Sequence, residues 1–174
     1  DTMRRTTRYL RADGRAVVRV MPNAPALVLT GASGMVAGRY ATEEDIHVAR
    51  GIFNQVGITV VVEKEEFIDI VTGLSGSGPA FIFMIIEALS DAGVQQGLSR
   101  KIANRLAAQT VYGAGKMFLE TGLHAGALKD LVATPGGTTF AGLRALENGN
   151  FRAVIMDAVE AATQKSRDLG KKKG

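Results

Sequence analysis

Two different rhythms of apolar and polar positions run along this chain, and the change between them falls near residue 65. Up to about residue 64 the pattern is that of an α/β segment. The β-branched run RAVVRVM at 15–21 predicts a strand. PNAP closes it, because proline has no amide to give to a central ladder. SGMVAG at 33–38 predicts a second short strand. Thr42 then reads as an N-cap, with Glu43, Glu44 and Asp45 in a first turn whose positive end favours them. Ile46, Ala49, Ile52 and Phe53 recur at helical spacing, and that helix ends near Gly57. ITVVVE at 58–63 predicts a third strand. Strand, helix and strand joined by short connections point to the closing part of a parallel, doubly wound sheet. Three strands alone make a poor sheet, and the chain opens at Asp1 without a methionine, inside a helical pattern. A start within a longer protein is therefore expected.

Beyond residue 65 the pattern is helical throughout. EEFIDIVTG begins a helix that runs into LSGSGPAFIFMIIEALSDAG. Pro79 cannot donate an amide and Gly76 and Gly78 are poor helix formers, so a break or sharp kink is expected there. Ala80 to Leu89 is apolar on nearly every face, which predicts a helix buried on all sides. Ser99 caps the next helix, which ends at Gly122. A short helix is predicted around Ala127 to Val132, another from Thr139 to Glu147, and a last one from Phe151 to Leu169. The expected fold is thus an α/β remnant over residues 1–64, the end of a Rossmann-type parallel sheet, followed by an all-helical domain over residues 65–174. A bundle of this size with so apolar a central helix is expected to complete its core with a second copy of itself.

Composition narrows the field. With 46% hydrophobic and 22% charged residues in 174, the chain is built to fold rather than to stay disordered. No apolar stretch reaches the roughly 18 to 20 residues of a membrane helix, the longest, Ala80 to Ile86, closing on Glu87, so no membrane partner is expected. The absence of cysteine excludes disulfides and thiolate metal sites, and an intracellular, cytoplasmic location is the default expectation. The net charge of +4 gathers at the ends, with six arginines between Arg4 and Arg19 and Lys171 to Lys173 at the other end. Aromatics are 6% and do not interleave with the basic residues, so a solvated arginine face is expected rather than a nucleic-acid surface.

Candidate chemistry concentrates in two glycine-rich stretches. GLSGSG at 73–78 has neither the spacing of a dinucleotide fingerprint nor a Walker lysine, and it follows a helix rather than a strand. It reads as a helix kink with close backbone packing, where a flat ligand could lie and Ser75 and Ser77 could donate hydrogen bonds. ATPGG at 133–137 differs. Pro135 fixes the direction, Gly136 and Gly137 permit a tight turn, and Thr138 and Thr139 begin a helix. The first amides of a helix have no internal partner, so a small carboxylate or phosphate fits there as naturally as a plain capped turn does. His47 and His124 lack acidic neighbours in a ligand pattern, so no metal is expected. Ser75 and Ser77 have no visible base, and Lys129 beside Asp130 reads as an ordinary ion pair.

Four blocks carry a resemblance: VRVMPNAP (18–25), DIVTGLSGSGPAF (69–81), LKDLVATPGGTTFAGLRALE (128–147) and FRAVIMDAVEAATQKS (151–166). Together they resemble pyrroline-5-carboxylate reductase, in that family's order and spacing. The resemblance implies reduction of Δ1-pyrroline-5-carboxylate to L-proline with NAD(P)H, NADPH being expected over NADH. It implies a Rossmann domain of which residues 1–64 are the end, and a helical domain that forms an interlocked homodimer, stacked into decamers in some members. Gly137, Thr138 and Thr139 would hold the ring carboxylate with help from Thr134. Thr139 would be catalytic, its hydroxyl facing the ring nitrogen. Ser75, Gly76 and Ser77 would lie near the nicotinamide, with Met21, Pro22 and Asn23 lining the cofactor side. Two departures stand out. HAGALKD replaces a proline that many members carry after the histidine, and the G-x-G-x-x-G loop is not in this sequence. The alternatives are a related imine or keto-acid reductase and a non-catalytic helical dimerisation module.

Overall fold

The computed structural model describes residues 14 to 172. The expected cut inside a helix at Asp1 and most of the arginine cluster lie outside the described residues. The chain divides into two compact units: residues up to Pro79 together with those from Met156 onward, and Ala80–Ile155. Compactness thus divides the chain elsewhere than the change of architecture at 64/65.

The first unit contains a three-stranded sheet of order β1-β2-β3, with β1 Val18–Met21, β2 Gly31–Ala37 and β3 Gly57–Val61. β2 and β3 pair in parallel through α1 (Glu43–Phe53), as expected for a doubly wound segment. β1 corrects that expectation, because it pairs with β2 antiparallel, Val18 opposite Ala37 and Met21 opposite Gly34. The reason is the connection. Residues 22–30 hold Pro22, Pro25 and a 3-10 turn at Ala24–Val28, shorter than the dozen or so residues a parallel crossover needs. β2 is the central strand and carries most of the burial, with Met35 and Val36 inaccessible or nearly so. Val36 and Ile68 form a core against Val17, Met21 and Val62. Thr42 caps α1 as its sequence suggests. Its hydroxyl accepts from the Asp45 amide at 3.3 Å, and Asp45 Oδ2 accepts from the Thr42 amide at 2.8 Å. Those bonds to Thr42 hold the Asp45 carboxyl below its ordinary pKa. Arg19 departs from the solvated arginine face, pairing with Glu65 at 3.0 Å.

After β3 the chain is helical from Phe67 to Gln95. α2 (Phe67–Val71) passes into a π-helical turn at Thr72–Gly76, and α3 (Gly78–Gln95) follows. The expected break is therefore a widened turn: the Ser77 amide reaches the Thr72 carbonyl at 2.8 Å, five residues back. That spacing absorbs the glycines and lets Pro79 sit in the first turn of α3, where its missing amide costs nothing. α7 (Phe151–Lys172) returns against this turn. A Cβ on Gly73 would collide with the Thr163 hydroxyl and stand 2.8 Å from the Val159 carbonyl, and Ser166 donates to Asp69.

The second unit contains the rest of α3, α4 (Arg100–Thr121), α5 (Ala125–Val132), α6 (Thr138–Asn148) and the start of α7. Ser99 caps α4 and Gly122 ends it at φ 63°, both as expected. Gly93 of α3 lies against Ala103 of α4, and the buried Ser90 donates to Asn104 and accepts from Arg100 at 3.0 Å. The expectation that Ala80 to Leu89 is buried on all sides does not hold within one chain. Phe83 is 63% and Met84 69% exposed. The helix Phe67–Gln95 is long and apolar enough to cross a membrane by length and composition, and only 11% of its apolar window is buried. No single apolar run reaches that length, because glycine, serine and single charges interrupt the apolar character of this helix.

Gly73→Ala is expected to destabilise the chain by about 1–3 kcal/mol, because the new methyl forces α7 away from the π turn. Urea denaturation followed by far-UV circular dichroism measures it. An unchanged midpoint would mean that α7 is not seated on this turn.

Candidate functional site

The ATPGG stretch is a β-turn of defined type. The Gly137 amide donates to the Thr134 carbonyl at 2.9 Å, Pro135 occupies the second position, and Gly136 the third at φ 68°. Proline followed by a left-handed glycine is the type II signature. Gly137 is the N-cap of α6 and brings no side chain to the helix start. The amides of Thr138, Thr139 and Phe140 therefore lack an intrahelical partner, and the helix dipole adds positive character there. A Cβ on Gly137 would strike the Thr134 hydroxyl, so Thr134 lies directly beside the helix start. The expected substrate residues Thr134, Gly137, Thr138 and Thr139 are thus brought together. One detail differs from expectation: the Gly137 amide is spent on the turn, which leaves the donors to Thr138 and its successors. Thr139 is half-buried, and its hydroxyl donates to the Val132 carbonyl at 3.1 Å, at the end of α5. That partner carries no side-chain signal in the sequence.

The expected cofactor-side residues gather in the first unit. The Met21 methyl stands 3.0 Å from the position a Cβ would take on Gly76. Asn23 joins three segments: its Nδ2 donates to the Ser75 carbonyl at 3.0 Å, and its Oδ1 accepts from the Ala32 amide at 2.9 Å. Its amide group is engaged at both ends, so it holds the β1–β2 connection against the π turn. Ser75, expected as a free donor, gives its hydroxyl to the Val71 carbonyl at 3.0 Å. Thr72 does the same toward Ile68 at 2.7 Å. Such back-bonding satisfies hydroxyls on a helix and widens the turn. Pro22 is exposed and Ser77 half-buried, and around the Cβ position of Gly78 there is open space.

The remaining candidates have structural roles. His124 Nδ1 accepts from the Gly126 amide at 3.1 Å and caps α5, which explains why that helix starts two residues before the expected Ala127. Lys129 and Asp130 pair at 3.1 Å, as read from the sequence. His47 lies on α1, beside a shallow depression lined by Thr42, Glu43, Glu44 and Arg50 that holds none of the expected site residues. A second depression, lined by Ile102, Arg105, Leu106, Gln109 and Tyr112 on α4, holds none either.

Asn23→Ala removes both bonds of the clamp and leaves the Ala32 amide and Ser75 carbonyl unpaired. A loss of about 1–3 kcal/mol is expected, measured by chemical denaturation. Asn23→Asp, which keeps the acceptor toward Ala32 but sets a carboxylate against the Ser75 carbonyl, should not restore it.

Comparison with known proteins gives this geometry a context. Residues 65–169 match the family model for pyrroline-5-carboxylate reductase dimerisation. Pyrroline-5-carboxylate reductase of Methanosarcina acetivorans is 54% identical over 160 residues, covering 92% of this chain and 59% of the relative. That of Arabidopsis thaliana is 54% identical over 152 residues, covering 87% of this chain and 55% of the relative. The structure of a pyrroline-5-carboxylate reductase from Coxiella burnetii superposes with a TM-score of 0.90 at 39% identity, over 94% of this chain and 60% of that one. The Plasmodium falciparum pyrroline carboxylate reductase, solved with NADP bound, gives 0.83 at 39% identity, over 91% and 63%. The chain spans a little over half the length of these curated relatives. Their likeness and the family model together show that this chain belongs to the pyrroline-5-carboxylate reductase family.

Proposed function

We propose that this chain supplies the substrate loop and the dimer-forming helices of a reductase that converts Δ1-pyrroline-5-carboxylate to L-proline. The observation that carries this reading is the start of α6. A type II turn delivers helical amides with no side-chain cap, beside the hydroxyls of Thr134 and Thr139. A ring carboxylate would accept from the amides of Thr138 and its successors, with Thr134 alongside. Thr139 would meet the ring nitrogen. Fixing the ring by its carboxylate leaves the imine carbon in a constant position, and orientation of this kind can supply several kcal/mol of a barrier.

A nicotinamide cofactor, when bound, supplies the hydride. The residues around the π turn suit the flat end of such a group, since Gly78 carries no side chain and faces open space. Met21 and the Asn23 clamp would hold that surface in shape, with Pro22, Ser75 and Ser77 bordering it. The phosphate-binding glycine fingerprint is not part of this sequence, so these residues fit the reacting end only. NADPH is the proposed reductant rather than NADH, in line with the NADP bound to the Plasmodium relative. A cytoplasmic location belongs to the same proposal. The exposed apolar residues of α3 are proposed to be covered by a second copy, in line with the dimerisation model matched by residues 65–169. Stacking of such dimers into decamers belongs to the same proposal.

Thr139→Ala in a chain that turns over is expected to lower kcat/KM for pyrroline-5-carboxylate by ~10-fold, about 1.4 kcal/mol of transition-state stabilisation. The rate of NADPH oxidation, read from the loss of dihydronicotinamide absorbance, measures it. A folded dimer without turnover or proline binding would favour the non-catalytic dimerisation module instead. Phe83→Glu is expected to convert the dimer to monomer in sedimentation experiments, because a carboxylate cannot be buried unpaired at the centre of an apolar interface. A variant that stays dimeric would remove α3 from the contact.

A further inference from the structure

The hairpin of α3 and α4 is fastened at one end only. Near its turn, Ser90, Ala103 and Ala107 are buried, and a Cβ added to Gly93 would stand 3.2 Å from that of Ala103. Seven residues along a helix return to nearly the same face. Yet Phe83, seven before Ser90, is 63% exposed, and Thr110 and Ala114, seven after Ala103 and Ala107, are exposed as well. The facing stripes of the two helices therefore meet near the turn and part beyond it. The fastening itself is polar. Ser90, 2% exposed, donates its hydroxyl proton to Asn104 and accepts from Arg100 Nη1 at 3.0 Å. Arg100 opens α4, where the helix dipole disfavours a cation, and Asp91 holds it there at 2.5 Å. Sliding one helix past the other by a residue breaks both bonds and leaves a buried hydroxyl without a partner.

We infer that Ser90 is the pin of this hairpin: bonded to Asn104 and Arg100, it fixes the crossing of α3 and α4 at the turn and so sets the opening into which a second copy of this chain packs. This rests on the reading that a second copy covers α3, in line with the dimerisation model matched by residues 65–169. That reading asks only for apolar surface, whereas the pin adds a geometric condition. α4 runs on from Asn104 to Thr121, about 25 Å at ~1.5 Å per residue. A tilt of ~10° at the pin therefore carries its far end roughly 4 Å, against the ~8–10 Å that separate the axes of packed helices. Interfaces packed to interior density do not absorb such a shift. A polar group satisfied in one arrangement only is a known way for helical assemblies to fix register.

The test is the dimer dissociation constant of this chain, measured by sedimentation equilibrium over a dilution series. Ser90→Ala removes the pin without adding volume and is expected to weaken the dimer ~10-fold or more. Asn104→Ala, which takes away the acceptor, should act in the same direction, and Asn104→Asp, which keeps an acceptor toward Ser90, should stay near the parent value. Thr42→Ala removes the cap of α1 in the other unit and also lowers stability, but should leave the dimer constant unchanged. A dimer unaffected by Ser90→Ala would overturn the pin and leave the second-copy reading standing. Equal weakening by Thr42→Ala or by Asn104→Asp overturns it as well, since general stability rather than the geometry of the hairpin would then set the affinity. A parent chain that is monomeric at every concentration would overturn the second-copy reading and the pin with it.

Discussion

The close approach of α7 to the π turn at Gly73 is the constraint on which the first unit is organised. No side chain fits between them, since Thr163 and the Val159 carbonyl occupy the place a Cβ would take. The π turn in turn receives the Asn23 side chain at Ser75 and the Met21 methyl at Gly76. Through Asn23 it is tied to the Ala32 amide in β2, the buried centre of the sheet. Sheet, turn and last helix are thereby held by contacts that tolerate little displacement. π turns inside helices recur at functional sites because the extra residue per turn frees backbone groups and re-aims side chains.

The loop ahead of α6 is organised by a different device. A type II turn costs little when proline and glycine occupy its two centres, and it leaves the helix start uncapped. An uncapped start in a globular chain leaves donors to be satisfied by water or by a ligand. Here the hydroxyl of Thr139 is satisfied from the opposite helix end. The two helix termini contribute opposite partial charges without any ionisable group.

The exposed apolar surface of α3 sets a third condition. Burying large apolar side chains is worth about 1.5–3 kcal/mol each, and Phe83 and Met84 gain little of that within one chain. A helix of this composition is stable in water only when something covers it. A second copy fits that requirement with no further element, in line with the dimerisation model matched by residues 65–169.

Local signals were readable from the residues themselves. Thr42, Ser99 and Gly122 mark helix ends because a cap acts across three or four residues, and PGG fixes its turn through the dihedral preferences of those residues. The parallel pairing of β2 with β3 followed from the helix between them, and the helical second half from its spacing. What sequence could not give depends on where distant segments return. The antiparallel direction of β1 turned on a connection too short to cross over. The widening at Thr72–Gly76 depends on Asn23, some fifty residues away, and on α7 at Thr163. The partner of the Thr139 hydroxyl is a backbone carbonyl, a group every residue carries and no residue type announces. Caps and turns are encoded in neighbouring residues, whereas the direction of a strand, the fit of a glycine and the partner of a hydroxyl are set by the packing of the whole unit.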